Sequence, residues 1–259
     1  METETRHRLT SLNPQNFLQL LYRHSGQFDN TIVGIAQTHF ALQYNNLLAN
    51  GFLTDFNLNK LDLSANYMQT ALPPILLNLF DRGYFEGASV IDLPTLLGVS
   101  YVTIKRASHN IYSRNSILRS RRIAEGMNLS TRAKIARINA SSVGIDRKTE
   151  LVRDLMVGVG AINRGVSLAR TETIYNLNTG SKRAWKDSRV INAVQWVVAN
   201  DDRLCQFCIT FNGRILAIDD DFAKEGENIA GTRGGTLPTL NDVPVPPLHP
   251  RCRCTLVPV

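Results

Sequence analysis

The chain has 259 residues, 43% of them hydrophobic and 20% charged, with a formal charge of +7. A chain of this length buries a core without staples, as one large domain or two smaller ones. No run of about 18 apolar residues occurs, which excludes a spanning helix, and the polar start Met1–Gln15 lacks the apolar core of a secretory signal, so a cytoplasmic protein is expected.

Residues 14–90 read as helical. Phe17, Leu18, Leu20 and Leu21 recur near helical spacing, and Ile32, Val33, Ile35 and Ala36 follow. Pro73 and Pro74 are expected to break the next segment, with Ile75–Phe80 resuming it as a buried helix. Gly83 and Gly87 read as a connection. Asp92 reads as a helix cap, with Pro94 in the first turn. The stretch from Thr103 to Arg137 has few strand signals and holds nine Lys or Arg against the single acid Glu125. That is a local charge of +8, leaving −1 for the rest of the chain. Such a stretch attracts nucleic acid or an acidic protein surface, with Lys105, Arg106, Arg114, Arg119, Arg121 and Arg122 as candidate contacts; a solvated helix face is the alternative.

Asp146 reads as another cap. Leu151, Val152, Leu155 and Met156 lie on one face of the helix behind it, which Gly158 and Gly160 end. A further helix is expected from Asn163 to Lys186, with Val166, Ile174 and Leu177 inward and Gly180 weakening it. After Ser188 the pattern turns to β: Val190–Val198, then Arg214–Ile218 entered through the hairpin signal Asn212-Gly213, then Thr255–Val259. Asp219–Pro247 reads as one long loop. The predicted fold class is α+β: a mainly helical, basic region over 1–145, then a small β-rich module over 146–259.

The chemistry concentrates in that module. Cys205-Gln-Phe-Cys208 is followed by His249-Pro-Arg-Cys252-Arg-Cys254. A CxxC turn is a common half-site for tetrahedral zinc, and HxxCxC offers three more donors where two are needed. Cys205 and Cys208 are expected to bind, completed by two of His249, Cys252 and Cys254. Cys252 and Cys254 share a face of an extended segment, which would leave His249 as a supporting or turn residue. Two disulfides or four buried reduced thiols are the alternatives. Four protein ligands leave no position for water, so such a zinc is structural. The pattern HExxH is absent, and Asp201-Asp202, Asp219–Asp221 and Gly231–Gly235 read as turns and a flexible loop. Arg170 and Glu172, two apart on a helix, point to separate faces and are read as structural pairing residues.

Taken in order, Ala169-Arg-Thr-Glu-Thr173, Trp196, Asp202-Arg-Leu-Cys-Gln-Phe-Cys208, Asn212-Gly213 and Pro246-Pro-Leu-His-Pro-Arg-Cys-Arg-Cys254 resemble the phage Mu F-like head morphogenesis family, over roughly Asp146 to Val259. The resemblance implies a structural minor head protein and no enzyme. It implies several copies per virion, at the portal vertex inside the capsid, after synthesis in the host cytoplasm. Portal protein, packaged DNA and major capsid or scaffold protein are the implied partners, with roles in head assembly, DNA packaging or genome delivery. A zinc-knuckle DNA-binding protein, a zinc-dependent nuclease and an ADP-ribosyltransferase are the rivals. The last would need more than Arg170 and a lone Glu172.

Overall fold

The computed structural model describes residues 14–23, 25–64, 66–98, 100–201 and 204–259. The side chains of Leu18, Leu20, Leu21 and Lys105, and the whole of Asp202 and Arg203, lie outside the described set. Helices come first: α1 (Pro14–Arg23), α2 (Ser25–Ala49), α3 (Phe52–Asp55), α4 (Tyr67–Val90), α5 (Leu93–Leu97), α6 (Tyr101–Ala140), α7 (Ile145–Val157) and α8 (Val159–Ser188). Five short strands follow: β1 (Ala193–Val197), β2 (Ile215–Ala217), β3 (Asn228–Ala230), β4 (Thr236–Pro238) and β5 (Thr255–Pro258). The α+β expectation holds: helices first, a small antiparallel β region last.

Several local readings change. Pro73 and Pro74 sit inside α4 and do not break it. Each ring removes one backbone donor, but the buried Leu72, Leu76, Leu79 and Phe80 hold the helix by its packed face. Gly144 occupies the cap position of α7, and Asp146 lies in the first turn, where its charge faces the helix dipole. Gly158 does end α7, yet α8 starts at Val159 and runs through Gly160. Val166 is 39% exposed on α8, whereas Ile174 and Leu177 are buried as expected. The long loop is structured: β3 and β4 form an antiparallel hairpin inside it.

The described residues form two compact units. The first combines the described residues of 14–28, 76–112 and 170–259. In it the C-terminal half of α4 crosses α8 at backbone contact. A Cβ on Gly83 would lie 2.1 Å from the Leu177 carbonyl oxygen, and one on Gly180 would lie 2.2 Å from that of Phe80. Gly83, Gly87 and Gly180 are therefore packing residues, and none of them interrupts its helix. Ser181 donates to the Gly83 carbonyl at 2.9 Å and the Trp185 indole to that of Gly87 at 3.0 Å, across the same crossing. Phe17 of α1 packs on Trp185 with ring centroids 5.8 Å apart.

The same unit carries a three-stranded antiparallel sheet in the order β2-β1-β5, with Trp196 opposite Leu256 and Val194 opposite both Leu216 and Pro258. Asn212-Gly213 forms a turn closed by Arg214 N–H to the Phe211 carbonyl at 2.9 Å. Asn212 has φ −58° and ψ 126°, and Gly213 has φ 79°. Those angles are those of a type II turn, which needs glycine at its third position. The turn leads into β2 and is not a two-residue hairpin loop.

The second unit combines 29–75 and 113–169. Ile32, Ala36, Phe40, Leu47, Leu72, Ala124, Ile135, Val152 and Met156 are buried there. The Arg164 guanidinium lies 3.9 Å from the centroid of Phe40 and donates to the carbonyls of Met127 and Leu155. Burial lowers its pKa to about 10. Nearby, Gln43 donates to Leu63 O at 2.9 Å and Asn128 Oδ1 at 2.6 Å, and buried His39 faces the same Asn128 oxygen at 3.4 Å.

Candidate metal centre

Three segments of the first unit build the site. The CxxC turn leads into a short 3-10 helix, Cys208–Phe211. Its geometry is fixed by a hydrogen bond from Phe207 N–H to Cys205 Sγ at 3.4 Å and by Ile209 N–H to the Cys205 carbonyl at 3.1 Å. The second segment is a turn closed by Cys252 N–H to the His249 carbonyl at 3.1 Å, with Arg251 in the left-handed region at φ 64°. The third is the run from Cys252 through Cys254 into β5, with both cysteines buried. Asp201 and Arg253 form a bidentate ion pair that ties the loop before the CxxC to this last segment.

The five candidate ligands come together in two overlapping sets. Donor atoms of Cys205, Cys208 and His249 lie within 4.8 Å of one another, as do those of Cys208, Cys252 and Cys254. Cys208 Sγ is common to both: it stands 3.1 Å from His249 Nε2 and 3.6 Å from Cys252 Sγ. Two thiolates on one tetrahedral zinc are separated by about 3.8 Å, given Zn–S bonds of about 2.3 Å. All four cysteines are free thiols, so neither disulfide alternative is formed. His249 Nδ1 donates to the Pro250 carbonyl at 2.8 Å, which leaves the Nε2 lone pair turned toward Cys208. That outer hydrogen bond is the usual way a ligating imidazole is oriented.

The electrostatics agree with this donor chemistry. Cys208 and Cys254 both share hydrogen bonds with Cys252 in a buried trio. The Cys208 thiol is pushed up by its bond to Cys252 and by burial; Cys252 is held down by the two thiols that donate to it. Cys254, though its bond to Cys208 lowers it, is raised on balance by Cys252 and burial. Three sulfurs that already share hydrogen bonds in one buried cluster are placed as a divalent ion requires of its thiolate donors. A cavity of about 30 Å³ lies among these side chains, lined also by Ala199, Leu204, Arg251 and Arg253. It has room for one small ion or water and none for an organic substrate.

Helix α8 is the platform, through residues the sequence did not single out. Thr171 Oγ1 accepts from Arg251 N–H at 3.2 Å, fixing the His249–Cys252 turn. Asn178 Oδ1 accepts from Leu256 N–H and from the Thr255 hydroxyl, both at 2.9 Å, and its Nδ2 reaches the Cys254 carbonyl at 3.5 Å. Glu172 is buried and Arg170 half-buried; neither lines the cavity. The Gly231–Gly235 segment is a hairpin loop seated on the CxxC turn, with Thr232 N–H bonded to the Gln206 carbonyl and Arg233 N–H to its side chain. Asp219 pairs with Lys186, and Asp221 with Lys224 at 2.6 Å.

The basic residues lie elsewhere. Arg106, Arg114, Arg121 and Arg122 are exposed on α6, and Arg119 is half-buried. Large apolar side chains stand exposed among them: Ile117, Leu118 and Leu129, the last 69% accessible. Among the described residues no helix is long and apolar enough to cross a membrane.

A family model described as Phage Mu protein F like protein matches residues 121–257, from within α6 to within β5. No curated protein and no solved structure matches the chain.

Proposed function

Because the chain belongs to the Phage Mu protein F-like family of head morphogenesis proteins, which are generally structural, we propose that it is a minor head protein that binds the portal on the capsid-interior side. In this reading it acts in head assembly, DNA packaging or genome delivery, in several copies per virion, and catalyses nothing. Residues 1–145 form its helical basic region and 146–259 its head morphogenesis domain. The family match over more than half of the chain is the observation that carries the reading.

The exposed face of α6 supports a protein partner over DNA as the contact of Arg114, Arg121 and Arg122. Phosphates reward cations, but they give nothing to Ile117, Leu118 and Leu129 beside them. A protein surface that is acidic and apolar satisfies both. Lys105, Arg106 and Arg119 belong to the same proposed contact.

The cation of the metal centre is zinc in this reading, and its role is structural. Cys208, Cys252 and Cys254 hold it, with Cys205 or His249 in the fourth position. Once bound, it supplies folding free energy by tying the CxxC turn to the segment that leads into β5.

The test is co-sedimentation of the full chain with the portal protein of the same phage and, separately, with duplex DNA. Portal binding that is lost on charge reversal at Arg121 and Arg122 and persists at moderate salt supports the reading. Binding to DNA alone, falling steeply with salt, makes the chain a nucleic-acid-binding protein instead.

A further inference from the structure

Trp196 is wholly buried on the central strand β1, and its indole N–H has no oxygen or nitrogen acceptor. The ring cannot turn to find one: Phe211 and Phe222 pack against it with centroids 5.2 and 5.0 Å away. An orphaned buried donor costs on the order of 1–3 kcal/mol and calls for an explanation. The other tryptophan, Trp185, has none to seek, since its indole donates to the Gly87 carbonyl at 3.0 Å.

The strand register supplies the acceptor. Trp196 stands directly opposite Leu256 on β5. Cys254 is two residues before Leu256, so it lies on the same face, as the diagonal neighbour of Trp196 and within reach of a long aromatic side chain. Cys254 is buried there too, within 4.8 Å of the sulfurs of Cys208 and Cys252. A neutral thiol is a weak acceptor, whereas a thiolate is a good one.

We propose that Trp196 is a positioning residue of the metal centre: its indole N–H donates to the metal-bound thiolate of Cys254. This rests on the metal reading above. The bond gives the buried indole N–H an acceptor and so links the packing of β1 to occupation of the site. It also withdraws charge from the sulfur, which steadies the metal–sulfur bond against protonation.

The experiment is a proton–cadmium correlation spectrum of the full chain loaded with cadmium-113 in place of zinc. A cross-peak to the Trp196 indole proton, transmitted through the N–H···S bond, is expected, with none to that of Trp185. Trp196→Phe is expected to weaken metal affinity roughly tenfold in a chelator competition, as for other groups that hydrogen-bond to ligands. If that variant does not fold, the spectrum of the unaltered chain decides alone. Bound cadmium with thiolate chemical shifts and no cross-peak to Trp196 overturns this inference and leaves the metal centre standing. A chain that binds no cadmium overturns both.

Discussion

Substitution of Gly180 by alanine tests how the first unit is held together. On an isolated helix the change would stabilise by about 1 kcal/mol, because glycine is the poorer helix former. Here the new methyl would lie 2.2 Å from the Phe80 carbonyl oxygen and 2.6 Å from Tyr84 N, where ordinary contact begins at 3.4 Å. Both neighbours are backbone and cannot swing aside, so α4 and α8 must part by about 1 Å. Parting stretches the Ser181–Gly83 and Trp185–Gly87 hydrogen bonds, each on the order of 1–3 kcal/mol if left unmade. With an overpacking cost of about 2 kcal/mol, the equivalent of one of these bonds lost at about 2 kcal/mol, and a propensity gain of about 1 kcal/mol, the net loss is about 3 kcal/mol. Urea unfolding followed by fluorescence measures it, since Trp185 and Trp196 are both wholly buried. Gly126→Ala is the control: that glycine is also mid-helix, but a Cβ there meets nothing within 4 Å. It is expected to stabilise by about 0.5–1 kcal/mol. A Gly180→Ala protein as stable as the Gly126→Ala protein would refute the close crossing.

Three further outcomes follow from the same structure. Freshly reduced protein is expected to carry about one zinc per chain by elemental analysis, and Cys208→Ser to lose it, because that sulfur belongs to both donor sets; full zinc retention by the variant would remove Cys208 from the site. Asn178→Leu is expected to cost about 2–3 kcal/mol in thermal or urea unfolding, by orphaning the buried Leu256 N–H and Thr255 hydroxyl; a loss under about 0.5 kcal/mol would mean that α8 does not anchor β5. Desolvation by burial, aided by the Arg164 charge, lowers the pKa of His39 below its usual 6.5. As pH falls through 6.5 the unfolded chain therefore takes up a proton that the folded chain resists, and stability declines down to the folded pKa, with a slope of up to about 1.4 kcal/mol per pH unit; His39→Phe is expected to flatten that slope, and an unchanged slope would place its origin elsewhere.

The cysteine cluster was legible in the sequence because its chemistry is local. Two donors on one turn and three within six residues need no knowledge of the fold. The crossing of α4 and α8 was not. Gly83 and Gly87 read as a connection and Gly180 as a weak point because glycine lowers helix propensity, while the need for a side chain of zero size appears only when the partner backbone is in place. Pro73 and Pro74 misled for a related reason: their local cost is real, but the buried face of α4 outweighs it. Thr171 and Asn178 gave no signal, since their partners lie about 80 residues away. Arg170 and Glu172 drew the eye in the same motif, yet Thr171 between them is the residue bonded to the His249–Cys252 turn. The mixed character of the basic helix was hidden in the same way: the charge of 103–137 could be counted, but the exposure of Ile117, Leu118 and Leu129 among the arginines required the fold.

The central claim is that this chain is a built-in part of a phage head. Quantitative mass spectrometry of gradient-purified particles, before and after the DNA-filled heads are separated from tails, tests it most directly. A fixed number of copies per particle is expected in the head fraction, cross-linked to portal through α6. Particles that are infectious and complete yet contain none of the chain would contradict it.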